Sequence, residues 1–214
     1  MLISGCLEFG LGVRSDNFRP LLGDGIFTQE GEAWKTSRDL LRPQFLQTRT
    51  KSFGHMQTEI EKFIHTLEAS PERKMDLQPL FFRLTLDTTM AVLFGKPVNN
   101  SEPQGAADEA AFARAFDHAQ HRIASRARLG DFYWLLGGKE FRDACETVHS
   151  FVENIVADAL EETKSDRTED SADRYVFLRE LIKKTRDPLV LRDQLLNVLL
   201  AGRDTTGCLL SWTT

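Results

Sequence analysis

No run of about 18 apolar residues occurs in this chain of 214, so none of it has the length and apolarity of a bilayer-spanning helix. The opening Met1-Leu-Ile-Ser-Gly-Cys-Leu7 is too short for a secretion signal and lacks its cationic flank. Cysteine is scarce. Cys6, Cys145 and Cys208 are odd in number and unrelated in position, which gives no disulfide framework and fits a reducing compartment. Basic tracts interleaved with aromatics are missing too, and the formal net charge of −5 argues against nucleic acid as a partner. The histidines, His55, His65, His118, His121 and His149, include one close pair with no acid at ligand spacing, so no metal site is expected. Neither a Gly-x-Ser-x-Gly elbow nor a phosphate-binding glycine loop is present, which leaves hydrolase and kinase readings nothing to rest on.

What is present describes a soluble, cytosol-facing helical body. With 41% hydrophobic and 28% charged residues the chain can build a core of domain size. Met56, Ile60, Phe63, Ile64 and Leu67 recur at helical spacing, as do Phe141, Cys145, Val148, Val152, Ile155 and Ala159; both read as core-facing stripes. Asp76 is expected to cap the apolar helix after it, Gly95 and Pro97 to stop that helix, and a short strand fits 74–77. The charged stretch 161–173 reads as an exposed loop. Asp187 and Pro188 start a final helix as N-cap and first helical residue.

That last helix holds an anomaly. From Leu189 to Leu200 the pattern is apolar on most faces, as of a buried helix, and Leu209, Leu210 and Trp212 resume it; between them stands Ala201-Gly-Arg-Asp-Thr-Thr206. Glycine inside a helix costs about 1 kcal/mol relative to alanine, and a buried carboxylate needs a partner. A threonine bonded to the carbonyl one turn back loosens the ladder at the same place. Gly202 can therefore let a flat ligand approach the backbone, with Asp204 and Thr205 holding a water or relaying a proton. Alternatively, Gly202 ends one helix and Asp204 caps the next. Asp87-Thr88-Thr89 mimics the motif without a preceding glycine and reads as structural, and Cys208 reads as a small core residue.

Trp34 and Arg38 lie four residues apart, on one helix face, with Arg42 a turn further on. The guanidinium and the indole N–H form a donor array suited to a carboxylate, although a solvated Arg–Trp stack has the same spacing.

Ala-Gly-x-Asp-Thr-Thr and Trp-x-x-x-Arg, in this order, resemble the cytochrome P-450 monooxygenases. Leu22-Gly-Asp-Gly-Ile-Phe27 and Leu41-Arg-Pro-Gln-Phe45 are similar to the family's flanks of the second motif. The segments 81–95, 115–120 and 131–136 resemble the fungal branch that hydroxylates n-alkanes and fatty acids. The resemblance implies a mainly α, truncated cytochrome P-450 fold running from about the third lettered helix through the central distal helix. Residues 1–214 would form a partial domain, without its N-terminal anchor, its Glu-x-x-Arg pair and its haem-ligating cysteine, and inactive by itself. It further implies haem as cofactor, dioxygen and a small hydrophobic substrate, an NADPH-dependent reductase as partner, and the cytosolic face of the endoplasmic reticulum membrane. Trp34 and Arg38 would hold a haem propionate, Ala201 and Gly202 would form the oxygen groove, and Asp204 and Thr205 would deliver protons. Gly25, Ile26 and Phe27 would face substrate. A helical lipid-binding or interaction module, or a degenerate gene product, is the alternative.

One segment suggests a membrane surface. Arg114, His118, His121, Arg122, Arg126 and Arg128 form a basic helix, and Phe132-Tyr-Trp-Leu-Leu136 follows it as an aromatic tip. A solvated helix face followed by a buried apolar turn is the other reading.

Overall fold

Helical periodicity dominates the whole chain. The computed structural model describes residues 10–48, 52–69, 75–94, 103–164 and 176–214, and these residues hold helices and no strand. In chain order they are α1 (Val13–Leu22), α2 (Gly31–Thr48), α3 (Ser52–Glu68), α4 (Leu77–Phe94) and α5 (Pro103–Arg128). A 3-10 helix (Gly130–Leu136) then leads into α6 (Lys139–Lys164), α7 (Val176–Ile182) and α8 (Pro188–Thr213).

The expected start signals act as read. Asp187 Oδ1 accepts from the Leu189 and Val190 amides at 2.9 and 3.4 Å, with Pro188 opening α8. Asp76 Oδ1 accepts from the Gln78 amide at 3.1 Å and starts α4. The expected strand at 74–77 is absent where it is described, since Met75 and Asp76 are irregular and Leu77 already belongs to α4. The loop expected from 161 is not found over its first four residues, because Glu161 to Lys164 still belong to α6. Residues 165–173, Lys74, Gly95 and Pro97 lie outside the described residues.

Among the described residues one core joins all the α-helices but α3, and the 3-10 helix adds no residue to it. Phe112, Phe116 and Ile123 of α5 meet Val148, Val152 and Val156 of α6, while Leu191, Leu195, Leu196 and Leu199 of α8 meet Leu21 and Leu22 of α1 and Phe177 and Leu181 of α7. The stripe on α6 is buried as expected, with Ile155 packed at its edge. The stripe on α3 is not: Ile60 and Ile64 are exposed, and among the described residues α4 is the one helix against which α3 packs extensively. Helix α8 is buried mostly in its first half; beyond it Arg203 and Gly207 are still buried, but Leu209 and Trp212 are exposed, the latter at 88%. Cys208 shares that exposed surface rather than the core. Packing of α4 along α8, and of α5 along α6, sets where clefts open beside the central helix.

Candidate functional site

The apolar reading of early α8 passed over three polar residues that the fold buries, Asp193, Gln194 and Asn197. They hold the loop after α1. Asn197 Nδ2 donates to the Leu22 carbonyl at 3.1 Å, and its Oδ1 accepts from the Phe27 amide at 3.1 Å. Asp193 Oδ2 accepts from the Asp24 amide at 2.8 Å, and Gln194 Nε2 donates to Ser37 Oγ of α2 at 2.8 Å. Thr28 closes the loop on itself by donating to the Gly23 carbonyl at 2.7 Å and accepting from the Gly25 amide at 2.9 Å. Gly23 has φ +62, and a side chain there would run into the Asp193 carboxylate; a Cβ on Gly25 would sit 2.4 Å from the Asn197 amide nitrogen. Gly25 packs closely against Asn197, Phe27 is partly buried beside the guanidinium of Arg14, and Ile26 lines an open cleft.

That cleft, of about 380 Å³, is lined by Ile26, Arg38, Leu41, Arg42 and Phe45. The Arg38 guanidinium lies 5.6 Å from the ring centre of Trp34, on one face of α2 as the spacing requires. Neither Arg38 nor Arg42 has a carboxylate partner among the described residues, so two cations border an apolar opening with their donors free. Phe45 is shared with a second, larger cavity of about 460 Å³ between α3, α4 and α8, which Ala201, Gly202 and Thr206 also line. The two motifs of the sequence therefore come together across one phenylalanine.

At the anomaly, α8 runs unbroken from Pro188 to Thr213, so Gly202 is not a helix end and Asp204 is not a cap. Thr205 Oγ1 donates to the Ala201 carbonyl at 2.7 Å, the back-bond to the preceding turn. The missing side chain of Gly202 faces α4: a Cβ there would lie 2.7 Å from Thr89 Oγ1 and 2.9 Å from its Cγ2. Gly202 is thus held small by its packing on Thr89, and both it and Ala201 line the cavity. The mimic Asp87-Thr88-Thr89 has a structural part, since Thr89 supplies that contact and Asp87 pairs with Arg83 at 2.7 Å.

Arg203, given no role in the sequence, is the hub between α8 and α5. It is 6% exposed, donates to Asp204 Oδ1 at 2.9 Å and Gln120 Oε1 at 2.7 Å, and pairs with Asp117. The rings of Phe82 and Phe116 flank it at 5.1 and 5.7 Å. Burial pushes the Asp204 carboxyl above its usual range, and the adjacent Arg203 charge pulls it partly back. The available signal was a cation set in a buried run, which demands partners from another helix. Asp204 also borders a third cavity, of about 170 Å³, lined by Phe18, Leu21 and Leu22 of α1, Gln120, Ile123 and Ala127 of α5, and Leu200.

In the basic helix, Arg114, His121 and Arg128 are exposed, but Arg126 is 5% exposed and belongs to the interior. The aromatic tip is on the surface, with Phe132 and Trp134 each 62% exposed. No helix among the described residues is long and apolar enough to cross a membrane, and they hold no cluster of three metal-ligating side chains.

An all-helical body in which a long central helix packs beside a guanidinium cleft is the architecture its motifs imply. The sequence matches the family model described as Cytochrome P450 over residues 13–213, and the chain belongs to that family. It is 47% identical over 194 residues to a protein of Arthroderma benhamiae named Cytochrome P450, covering 89% of this chain and 38% of that protein. It is 43% identical over 213 residues to Cytochrome P450 52A3-A of Candida maltosa and to Cytochrome P450 52A6 of Candida tropicalis, covering 96% of this chain and 41% of each. The chain thus spans well under half the length of these curated relatives.

Proposed function

We propose that this chain forms the central-helix portion of a haem-dependent monooxygenase that hydroxylates C–H bonds of n-alkanes or fatty acids, with electrons from an NADPH-dependent reductase. The observation that carries the reading is the cleft at Arg38 and Arg42, whose free guanidiniums share the wall Phe45 with the cavity beside Ala201 and Gly202. The donor set fits the propionate end of a haem: Arg38 and Arg42 would hold it in the cleft, and the indole of Trp34, stacked on Arg38, would add a third donor. It does not include the iron's thiolate. The Cys145 thiol is buried and pushed up to about 12, Cys208 lies on the surface of α8, and neither lines the cleft or the cavity beside it; Cys6 lies outside the described residues.

When bound, the haem supplies the activation of dioxygen for insertion of one oxygen atom into a C–H bond. The chain's own part is orientation and proton handling. Ala201 leaves room beside α8. The Asp204 carboxyl, lifted by burial and held by Arg203, would take and release a proton from the side of α8 that faces α1 and α5, opposite the cavity lined by Ala201 and Gly202, and Thr205 would offer its hydroxyl oxygen one residue further on. Ile26, fixed through its loop to Asn197, bounds the space for an apolar substrate. The exposed Phe132 and Trp134 beside Arg128 suit the surface of the endoplasmic reticulum membrane, from which such a substrate would be drawn.

Titration of the chain with haemin, followed by its Soret absorption, tests the cleft. Arg38→Ala is expected to weaken binding about tenfold or more, the loss typical of a charge-assisted hydrogen bond. Equal binding by the parent and the variant removes the propionate assignment, and with it the main support for the reading over that of a helical lipid-binding module.

A further inference from the structure

Two carboxylates share one guanidinium where α8 meets α5. Arg203 donates from Nη1 to Asp204 Oδ1 at 2.9 Å and to Gln120 Oε1 at 2.7 Å, and from Nη2 to Asp117 Oδ1. Buried, and flanked by the rings of Phe82 of α4 and Phe116 of α5 at 5.1 and 5.7 Å, the guanidinium is not free to turn wholly to either acid.

Charge at this junction is unbalanced. One cation faces two anions, so an excess of negative charge stands there when both acids are ionised, and a proton goes first to the acid for which charge costs more. The side chain of Asp117 is 57% exposed and that of Asp204 34%, so Asp204 is that acid. The groups that face Asp204 are Arg203 beside it, Asp117 and Gln120 of α5, and the apolar Phe18, Leu21 and Leu22 of α1. Burial is the largest cause of the lift in its carboxyl, Arg203 opposes the lift, and the Asp117 charge adds to it. A one-to-one ion pair would act the other way. A carboxylate with a guanidinium to itself is held ionised and has no proton to give.

We propose that Asp117 is a positioning residue for proton handling on α8: by occupying one side of the Arg203 guanidinium it denies Asp204 an exclusive counter-ion and keeps that acid able to take up a proton. The assignment rests on the reading of Asp204 as the proton-handling acid of a monooxygenase, and extends that role to a second helix. Asp117 lines neither the guanidinium cleft nor the cavity beside Ala201, so it acts through Arg203. The step is a proton transfer between water and an Asp204 carboxylate oxygen, with no change of oxidation state.

Titration of side-chain carboxyl carbons by nuclear magnetic resonance in the haem-free chain tests this, with Asp204→Asn assigning the Asp204 signal. In Asp117→Asn, Asp204 is expected to bind its proton about threefold or more weakly than in the parent; in Asp117→Glu, which keeps the charge, it is expected to bind it about as tightly as the parent does. Asp117→Ser is expected to match Asp117→Asn and serves if the latter does not fold. An Asp204 titration that these neutral variants leave in place or move upward overturns the proposal. A shift in Asp117→Glu as large as in Asp117→Asn assigns the effect to packing and overturns it as well, as does a parental Asp204 that titrates no higher than the ordinary 3.8. Haemin titration judges the underlying reading separately. Haemin binding with an Asp204 indifferent to Asp117 sinks the proposal alone, and a weakened Asp204 proton in a chain that binds no haemin supports the charge arrangement while removing the monooxygenase reading beneath it.

Discussion

At the scale of single residues, the acid in the central helix shows how position sets chemistry. Asp204 has its carboxyl raised above the ordinary 3.8 chiefly by burial, so the folded state binds its proton more tightly than the unfolded chain does. Its contribution to stability is therefore complete below that value and is lost as pH rises through the elevated native one. Urea midpoints of the parent minus those of Asp204→Asn should fall over this interval and level off above it; a difference that grows with pH would contradict the burial argument. Thr205 is constrained in another way. Its hydroxyl hydrogen is engaged by the Ala201 carbonyl, so what it offers outward is lone pairs. Asp204 and Thr205 were legible in the sequence because acid and hydroxyl are out of place in an apolar run. The role of Arg203 was not, since the residues that justify it, Asp117 and Gln120, lie more than eighty positions earlier.

At the scale of elements, the contact of α8 with α4 turns on one missing methyl group. Gly202→Ala gains about 1 kcal/mol of helix propensity but drives a carbon into Thr89, and overpacking of that kind costs about 1–3 kcal/mol. A net loss of about 1 kcal/mol is expected from chemical denaturation. In a Thr89→Ala background the same change should become neutral or stabilising, because the obstructing atoms are gone; a loss that persists there would place the glycine's importance elsewhere. The helices themselves were readable from period and caps: Asp187-Pro188 and Asp76 start α8 and α4 as their side chains dictate. Exposure was not readable from period alone. Helix α3 has as regular a stripe as α6, yet Ile60 and Ile64 are exposed, since among the described residues α4 alone packs extensively against it.

At the scale of the whole molecule, the loop from Leu22 to Thr28 is fastened to α8 by polar groups that no local pattern announces. Asn197 is fully buried and serves the Leu22 carbonyl and the Phe27 amide, so Asn197→Ala strands two backbone groups. The cost should be about 2–4 kcal/mol, a drop of roughly 5–15 °C in the thermal midpoint, and haemin affinity should fall with it as Ile26 comes loose from the cleft. A loss below about 1 kcal/mol would mean that apolar contacts hold the loop. This fastening also has a consequence in time. The groups it joins, Asp24 with Asp193 and Phe27 with Asn197, are separated by 169 and 170 positions, and ribosomes add about 5–20 residues each second. The loop leaves the ribosome on the order of 10–30 s before its partner helix exists. The cleft beside it can acquire its final shape only when synthesis has passed Asn197, so on the proposed reading haem would be captured by this region only late in the birth of the protein.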